Sequence, residues 1–195
     1  MRKWLVALLV LAAVSMSAGG ALAQVYTPEA FAISELRGGI MAHSVDETGA
    51  VNIAGVGNFG RIQDFNVELL FTPPTVDFWR LIGNPRPHIG ATVNLGGLES
   101  MAYLGLTWRL PVFDTPIFIE GGFGGAVNNG TLSGAVFPAR DLGCHVMFHE
   151  QASIGYQITA NASAMLTFEH SSHAGLCGPN NRGLTNVGVR FGWTF

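Results

Sequence analysis

Apolar and polar residues alternate along most of the chain, in short segments separated by turn residues. The final segment shows this most clearly, since Val187, Val189, Phe191 and Trp193 alternate with small or polar residues. A period of two is typical of strands with one apolar face, and no helical periodicity is present. We predict eight strands, at Ile33–Ser44, Arg61–Thr72, His88–Gly96, Met101–Val112, Ile117–Val127, Cys144–Ile158, Ser163–His173 and Thr185–Phe195.

Composition indicates which way the apolar faces point. Of the 195 residues, 48% are hydrophobic and only 12% are charged, against about 25% charged in a typical soluble domain. A small soluble barrel would bury its apolar face, whereas a charge-poor, glycine-rich chain favours apolar faces turned to lipid. The predicted fold is therefore all-β, an eight-stranded antiparallel transmembrane β-barrel of the bacterial outer membrane. The strand that ends in Phe195 also resembles the terminal strand of such barrels.

The N-terminus has the features of an export signal. Arg2 and Lys3 precede the apolar run Trp4–Val14, and Ala21-Leu22-Ala23 provides a small-residue cleavage site. We expect residues 1–23 to be a signal peptide and residues 24–195 to form the barrel; an uncleaved N-terminal anchor is the alternative.

The segment Asp46–Phe59 is predicted to be a long loop. The net charge of −3, without basic patches, argues against nucleic-acid binding.

Export places the two cysteines in an oxidising compartment. Both Cys144 and Cys177 fall at the outer rim of the predicted barrel, so we expect a disulfide between them, with two unpaired thiols as the alternative. His145, His149 and His173 could conceivably bind a metal. Because no ligand set with tight spacing is present, ordinary hydrogen bonding is favoured, and no metal or other cofactor is predicted.

Candidate chemistry lies in the seventh strand and the connection after it. His170 and Ser172 are two residues apart on a strand, so they point to the same, lipid-facing side. A histidine can serve as general base to a serine hydroxyl. A following Gly- and Asn-containing loop can supply donors to an oxyanion. Polar residues in the headgroup layer near a barrel rim are the alternative interpretation.

The same segment resembles the active-site region of PagL-type lipid A 3-O-deacylases, whose motif is approximately His-x-Ser-Asn-Ala-Gly followed by Pro-Asn-x-Gly. The matching positions are His170, Ser172, Ala174, Gly175, Pro179, Asn180 and Gly183. The resemblance implies that His170 is the base, that Ser172 is the nucleophile, and that the Gly175 N–H and the Asn180 side chain form the oxyanion hole. It also implies lipid A in the outer membrane as the substrate.

Two positions depart from the family pattern. His173 stands where the family usually has Asn, and Thr185 stands where it has the Glu that orients the histidine. A three-residue turn at Thr159–Asn161 would place Glu150 opposite His170 as a substitute acid. Glu150 in the headgroup layer, or turned inward by a bulge, is the alternative. The adjacent Glu169 points the other way and is expected to meet Arg190 inside the barrel.

The leading hypothesis is a lipid A 3-O-deacylase that removes an ester-linked 3-hydroxyacyl chain without a metal. The rival hypothesis is a non-catalytic structural or lipopolysaccharide-binding barrel that has lost its acid. A pore is disfavoured because barrels of eight strands are filled by side chains. A homodimer is an alternative to a monomer.

Overall fold

The computed structural model describes residues 30–45 and 61–195; the expected signal peptide and the loop predicted over Asp46–Phe59 lie outside these residues. The strands of the described part are β1 (Ile33–Ala42), β2 (Ile62–Phe71), β3 (Arg86–Asn94), β4 (Met101–Pro111), β5 (Ile117–Asn128), β6 (Val146–Gln157), β7 (Ala162–Ser172) and β8 (Leu184–Thr194). Each predicted strand is present, with boundaries within a few residues of those predicted.

The strands form one closed barrel in chain order. Every strand pairs antiparallel with the next, and β1 pairs with β8 in a register that places Ile40 opposite Val189. Closure pairs the backbone groups that an open edge would expose. The predicted eight-stranded antiparallel barrel is therefore confirmed. We call the end that carries the connections after β1, β3, β5 and β7 the upper end, and the opposite end the lower end.

Side chains alternate across the barrel wall as the sequence pattern predicts. On β8, Phe191 is 62% exposed and Trp193 is 53% exposed, whereas Arg190 is fully buried. On β7, Leu166 is 53% exposed and its neighbour Thr167 is fully buried. The outer surface is thus apolar and the interior polar, which is the arrangement expected of a barrel in a bilayer.

Charged side chains fill the interior. Arg37 donates to Glu35 at 2.7 Å and to Glu68 at 3.1 Å, and it forms an ion pair with Glu120 at 2.8 Å. Arg86 and Arg109 contact the same acids at 2.6 Å each. Buried charges are stable only when they are paired and hydrogen-bonded in this way. The network occupies the lumen as side chains do in other eight-stranded barrels.

One expected interior contact is wrong. Glu169 does not meet Arg190; it accepts a hydrogen bond from the Asn186 amide at 3.0 Å. The register explains the difference, because Asn186 lies opposite Glu169 whereas Arg190 lies opposite Met165. Arg190 instead donates to the Thr167 hydroxyl, to Gln151 and to Glu68, at 3.0, 3.0 and 3.3 Å.

A short helix, α1 (Asp77–Leu81), lies in the connection between β2 and β3, where the sequence pattern predicts no helix. Five residues are too few to show a helical period, which is why the pattern does not reveal it. Within the described residues, no helix has the length and apolar content needed to cross a membrane. The Trp79 indole N–H donates a hydrogen bond to the Pro85 carbonyl at 2.6 Å, which holds α1 against the start of β3.

Candidate active site

Three polar side chains form one row across the outer face of the barrel. The pairing of β6 with β7 places Glu150 opposite His170, and the pairing of β7 with β8 places Thr185 on the other side of the histidine. Each has the parity of an exposed apolar residue on its own strand, namely Ile154, Leu166 and Val189, so all three occupy outward-facing positions. Thr185 itself is buried. The register predicted from the three-residue turn is therefore present.

Thr185 is in direct contact with His170. The threonine Oγ1 lies 2.8 Å from the histidine Nδ1. A threonine hydroxyl can accept the Nδ1–H, which leaves the lone pair on Nε2. The Thr185 carbonyl also accepts a hydrogen bond from the Val45 N–H at 2.8 Å, which anchors β8 to the end of β1. The position that the sequence resemblance assigns to the family Glu thus holds a neutral residue in contact with the imidazole ring.

Glu150 lies beside His170 without bonding to it. No hydrogen bond or ion pair within 4.0 Å joins the two side chains, both of which lie in the described part of the chain. The Glu150 Oε2 is buried and has no hydrogen-bond partner. In its ionised form, Glu150 would act on an imidazolium at His170 through space and not through a hydrogen bond.

Ser172 ends β7 two residues above His170 on the same face, opposite Phe148. The Cε1–Nε2 edge of the His170 ring lies close to Gly183, whose φ is +63°. A Cβ on Gly183 would lie 2.9 Å from His170 Cε1 and 3.4 Å from Nε2. Glycine at this position therefore leaves room for the Nε2 edge of the ring. Among the described residues, no hydrogen bond joins His170 to Ser172.

The connection from 173 to 183 carries the two residues expected to form an oxyanion hole. Gly175 is exposed and has a φ of +79°, following Ala174 with a φ of +51°. Two consecutive left-handed residues turn the chain sharply back just after Ser172. Asn180 is exposed near the far end of the same connection. Both residues therefore lie in the connection that follows β7.

A disulfide between Cys144 and Cys177 joins this connection to the one between β5 and β6, with Cα atoms 5.9 Å apart. The backbone N–H of Arg182 adds a hydrogen bond to the Asp141 carbonyl at 3.2 Å. A Cβ on Gly143 would overlap the Asn180 carbonyl oxygen. The two connections are therefore in contact at the upper end.

The histidines considered for a metal site do not converge. His149 lies inside the barrel, where its Nδ1 is 3.0 Å from the Ser171 Oγ and its ring stacks on Tyr103. His145 is exposed at the rim and His173 is buried in the 173–183 connection. Residues 30–45 and 61–195 contain no group of three His, Cys, Asp or Glu side chains arranged to hold a metal ion.

A buried cluster at the upper end is absent from the sequence predictions. His43 Nδ1 lies 2.9 Å from Asp64 and its Nε2 lies 3.1 Å from Glu99. Burial alone would lower the pKa of His43, but hydrogen bonds to the two carboxylates outweigh burial and raise it to about 9. Burial likewise opposes ionisation of Glu99, yet the bonds from His43 and the Arg140 N–H lower its pKa. No local spacing signals this cluster, because its members come from three separate segments.

Comparisons with known proteins bear on the family and on the fold. The family model described as lipid A 3-O-deacylase (PagL) matches residues 65–194. A crystal structure of the outer membrane enzyme PagL aligns with a TM-score of 0.58 and 17% identity, covering 83% of this chain and 100% of that one. The N-terminal β-barrel domain of Pseudomonas aeruginosa OprF aligns with a TM-score of 0.50 and 9% identity, covering 84% and 98%. No curated protein matches the chain.

Proposed function

The chain belongs to the lipid A 3-O-deacylase (PagL) family, and we propose that it hydrolyses the ester-linked 3-hydroxyacyl chain of lipid A in the outer leaflet of the outer membrane. The observation that carries the proposal is the placement of His170 and Ser172 on one outward face, with the imidazole held at Nδ1 by Thr185. A site on this face suits a substrate whose acyl chains remain in the bilayer.

In the proposed reaction, Ser172 Oγ attacks the ester carbonyl carbon while His170 Nε2 takes the hydroxyl proton. The Gly175 N–H and the Asn180 side chain donate to the oxyanion that forms. Collapse breaks the bond to the sugar oxygen, which receives the proton from the imidazolium. Water, deprotonated by Nε2, then attacks the acyl-serine carbonyl carbon. The bond to Ser172 Oγ breaks, the imidazolium returns its proton to that oxygen, and the acyl chain leaves as a 3-hydroxy fatty acid.

The acid of the triad is replaced by two weaker contributions. Thr185 orients His170 and selects the tautomer with a free Nε2, but it carries no charge to stabilise the imidazolium. Glu150, on the opposite side of the ring, supplies the missing negative charge through space. Together the two residues divide the roles of the family Glu, which predicts a slower enzyme than a relative with the complete triad.

A non-catalytic barrel that binds lipopolysaccharide is the second candidate. One observation favours it: no carboxylate in the described residues hydrogen-bonds to His170, and the position of the family Glu is Thr185. Such a protein would keep the fold and the lipid-facing surface without turnover.

Mass spectrometry of lipid A separates the two candidates. Gram-negative cells that express the wild-type chain should contain lipid A lighter by one 3-hydroxyacyl group, and cells that express Ser172→Ala should not. Equal amounts of heat-modifiable barrel in the two membranes provide the control for folding. Unmodified lipid A in cells with abundant folded wild-type protein would favour the non-catalytic barrel.

A further inference from the structure

His173 holds the connection between β7 and β8 in one conformation. Its side chain is 2% exposed and turns back into its own connection. Its Nε2 lies 2.7 Å from the Asn180 carbonyl oxygen, and its Nδ1 lies 3.2 Å from the Cys177 N–H. Its backbone carbonyl accepts from the Leu176 N–H at 2.9 Å, and its backbone N–H donates to the Asn181 side chain at 3.3 Å.

The two ring bonds require one protonation state. A backbone N–H can only donate, so Nδ1 must accept from Cys177, and a carbonyl can only accept, so Nε2 must carry the proton given to Asn180. A neutral ring in this tautomer satisfies both partners at once. The ring thus holds Cys177, which follows Gly175 by two residues, in a fixed position relative to Asn180.

We call His173 and its two ring hydrogen bonds the clamp. Residues of the connection between β5 and β6 also restrict it. Cys177 is bonded to Cys144, and Gly143 lies so close that an added Cβ would be 2.7 Å from His173 Nε2. The side chain therefore has little freedom to move away from the Asn180 carbonyl. Because His173 directly follows Ser172, this clamp also sets where the turn lies relative to the end of β7.

We propose that His173 is a positioning residue that holds the Gly175 N–H and Asn180 over Ser172, an inference that rests on the proposed deacylase function. It stands where the family usually has Asn, and its longer ring reaches both sides of the connection. His173 does not touch the reacting atoms. It acts through the oxyanion donors, so its loss should lower the rate of the chemical step and leave substrate binding nearly unchanged.

Three substitutions separate the contributions of its two ring nitrogens. His173→Asn places a polar atom near the position of Nδ1 and retains the hydrogen bond to Cys177. His173→Gln reaches the position of Nε2 and retains the hydrogen bond to Asn180. His173→Ala loses both hydrogen bonds. His145→Gln, at an exposed histidine of the same rim, is the matched control. Each variant is purified as the full-length barrel, and its rates are normalised to the heat-modifiable fraction.

We expect His173→Ala to lower kcat for lipid A about 10- to 100-fold with KM changed less than about 3-fold. Labelling of Ser172 by a fluorophosphonate probe should slow in parallel. His173→Gln should recover most of the rate, His173→Asn less, and the control should match wild type. An active wild type with unchanged kcat in His173→Ala would overturn this inference alone. An unreactive, folded wild type would overturn the proposed function as well.

Discussion

Thr185 Oγ1 and His170 Nδ1 lie 2.8 Å apart across the β7–β8 ladder, on the outer face of the barrel. The contact is the one that a carboxylate would make in a Ser-His-acid triad, but its partner is neutral. A neutral acceptor can fix the ring and its tautomer, whereas an anionic acceptor also stabilises the imidazolium that forms in the transition state. The proposed deacylase activity should therefore depend on charge supplied from elsewhere.

Neutralising Glu150 tests the source of that charge. At an effective dielectric constant of about 20, a unit charge about 6 Å from an imidazolium is worth roughly 2–3 kcal/mol. We expect Glu150→Gln to lower kcat for lipid A deacylation about 30- to 150-fold, and we expect Asp114→Asn, in the exposed turn after β4, to have no effect. Wild-type activity in Glu150→Gln would show that Glu150 plays no part, while leaving His170 and Ser172 in their roles.

Restoring the carboxylate at the family position gives a complementary test. Thr185→Glu places an anion where the hydroxyl now contacts Nδ1, so it should raise kcat and should compensate for Glu150→Gln in the double variant. The measurement is the rate of 3-hydroxy fatty acid release by each variant in detergent–lipid A micelles. If Thr185→Glu is folded and slower than wild type in both backgrounds, orientation by the threonine matters more than charge.

Gly183 should be intolerant of a side chain because of His170. Gly183→Ala introduces a Cβ 2.9 Å from the His170 Cε1 and also strains a backbone with a φ of +63°. We expect kcat to fall at least about 10-fold while the barrel remains folded. Gly134→Ala is the matched control, because Gly134 has a φ of +76° and open space around it. Equal losses in the two variants would attribute the effect to backbone strain, which costs about 1–2 kcal/mol.

The His43 cluster predicts a pH-dependent stability. The pKa of His43 is raised from 6.5 to about 9, so the folded state holds this proton more tightly than the unfolded state. The resulting stabilisation is complete below pH 6.5 and is lost as the pH rises through 9, with a magnitude on the order of 3 kcal/mol. Urea unfolding in micelles at pH 7 and pH 9.5 should show the loss in wild type. The same pH change should have a much smaller effect on His43→Gln.

The disulfide should stabilise the upper end. Cys144 and Cys177 are 33 residues apart, and a crosslink of that span is worth about 4 kcal/mol through the unfolded state. We expect the Cys144→Ser/Cys177→Ser double variant, and wild type treated with a reductant, to unfold at lower urea concentration. Reductant should not affect the double variant. Identical unfolding curves for oxidised and reduced wild type would contradict the prediction.

Local patterns in the sequence are sufficient for much of this fold. The positions of the strands, and the side of the wall to which each side chain points, follow from a hydrophobic period of two. The pairing of Glu150 with His170 follows from the three-residue turn at Thr159–Asn161. Contacts between distant strands do not follow from any such pattern. Arg37 meets Glu120 across 83 positions of sequence, and the Glu169–Arg190 pair expected from facing alone is wrong because register decides it.

Within the candidate site, the facing of residues on the strands can be predicted from the sequence. The side-chain contacts in the connection between β7 and β8 cannot. The facing of His170 and Ser172 is fixed by the strand geometry of β7, so it can be predicted from their spacing. The direction of the His173 ring is set by Cys177 and Asn180 in an irregular segment. No periodicity applies there, so the structure is needed to find its role.

The outward placement of Ser172 has a consequence for kinetics. In the proposed reaction, a serine on the outer wall would meet lipid A by lateral diffusion within one leaflet, so turnover should depend on the mole fraction of lipid A in the interface and not on its bulk concentration. Adding detergent at constant lipid A should slow the reaction by surface dilution, whereas diluting the whole mixture should leave the rate per enzyme nearly unchanged. Expression level and membrane composition would then set the extent of lipid A modification in the cell.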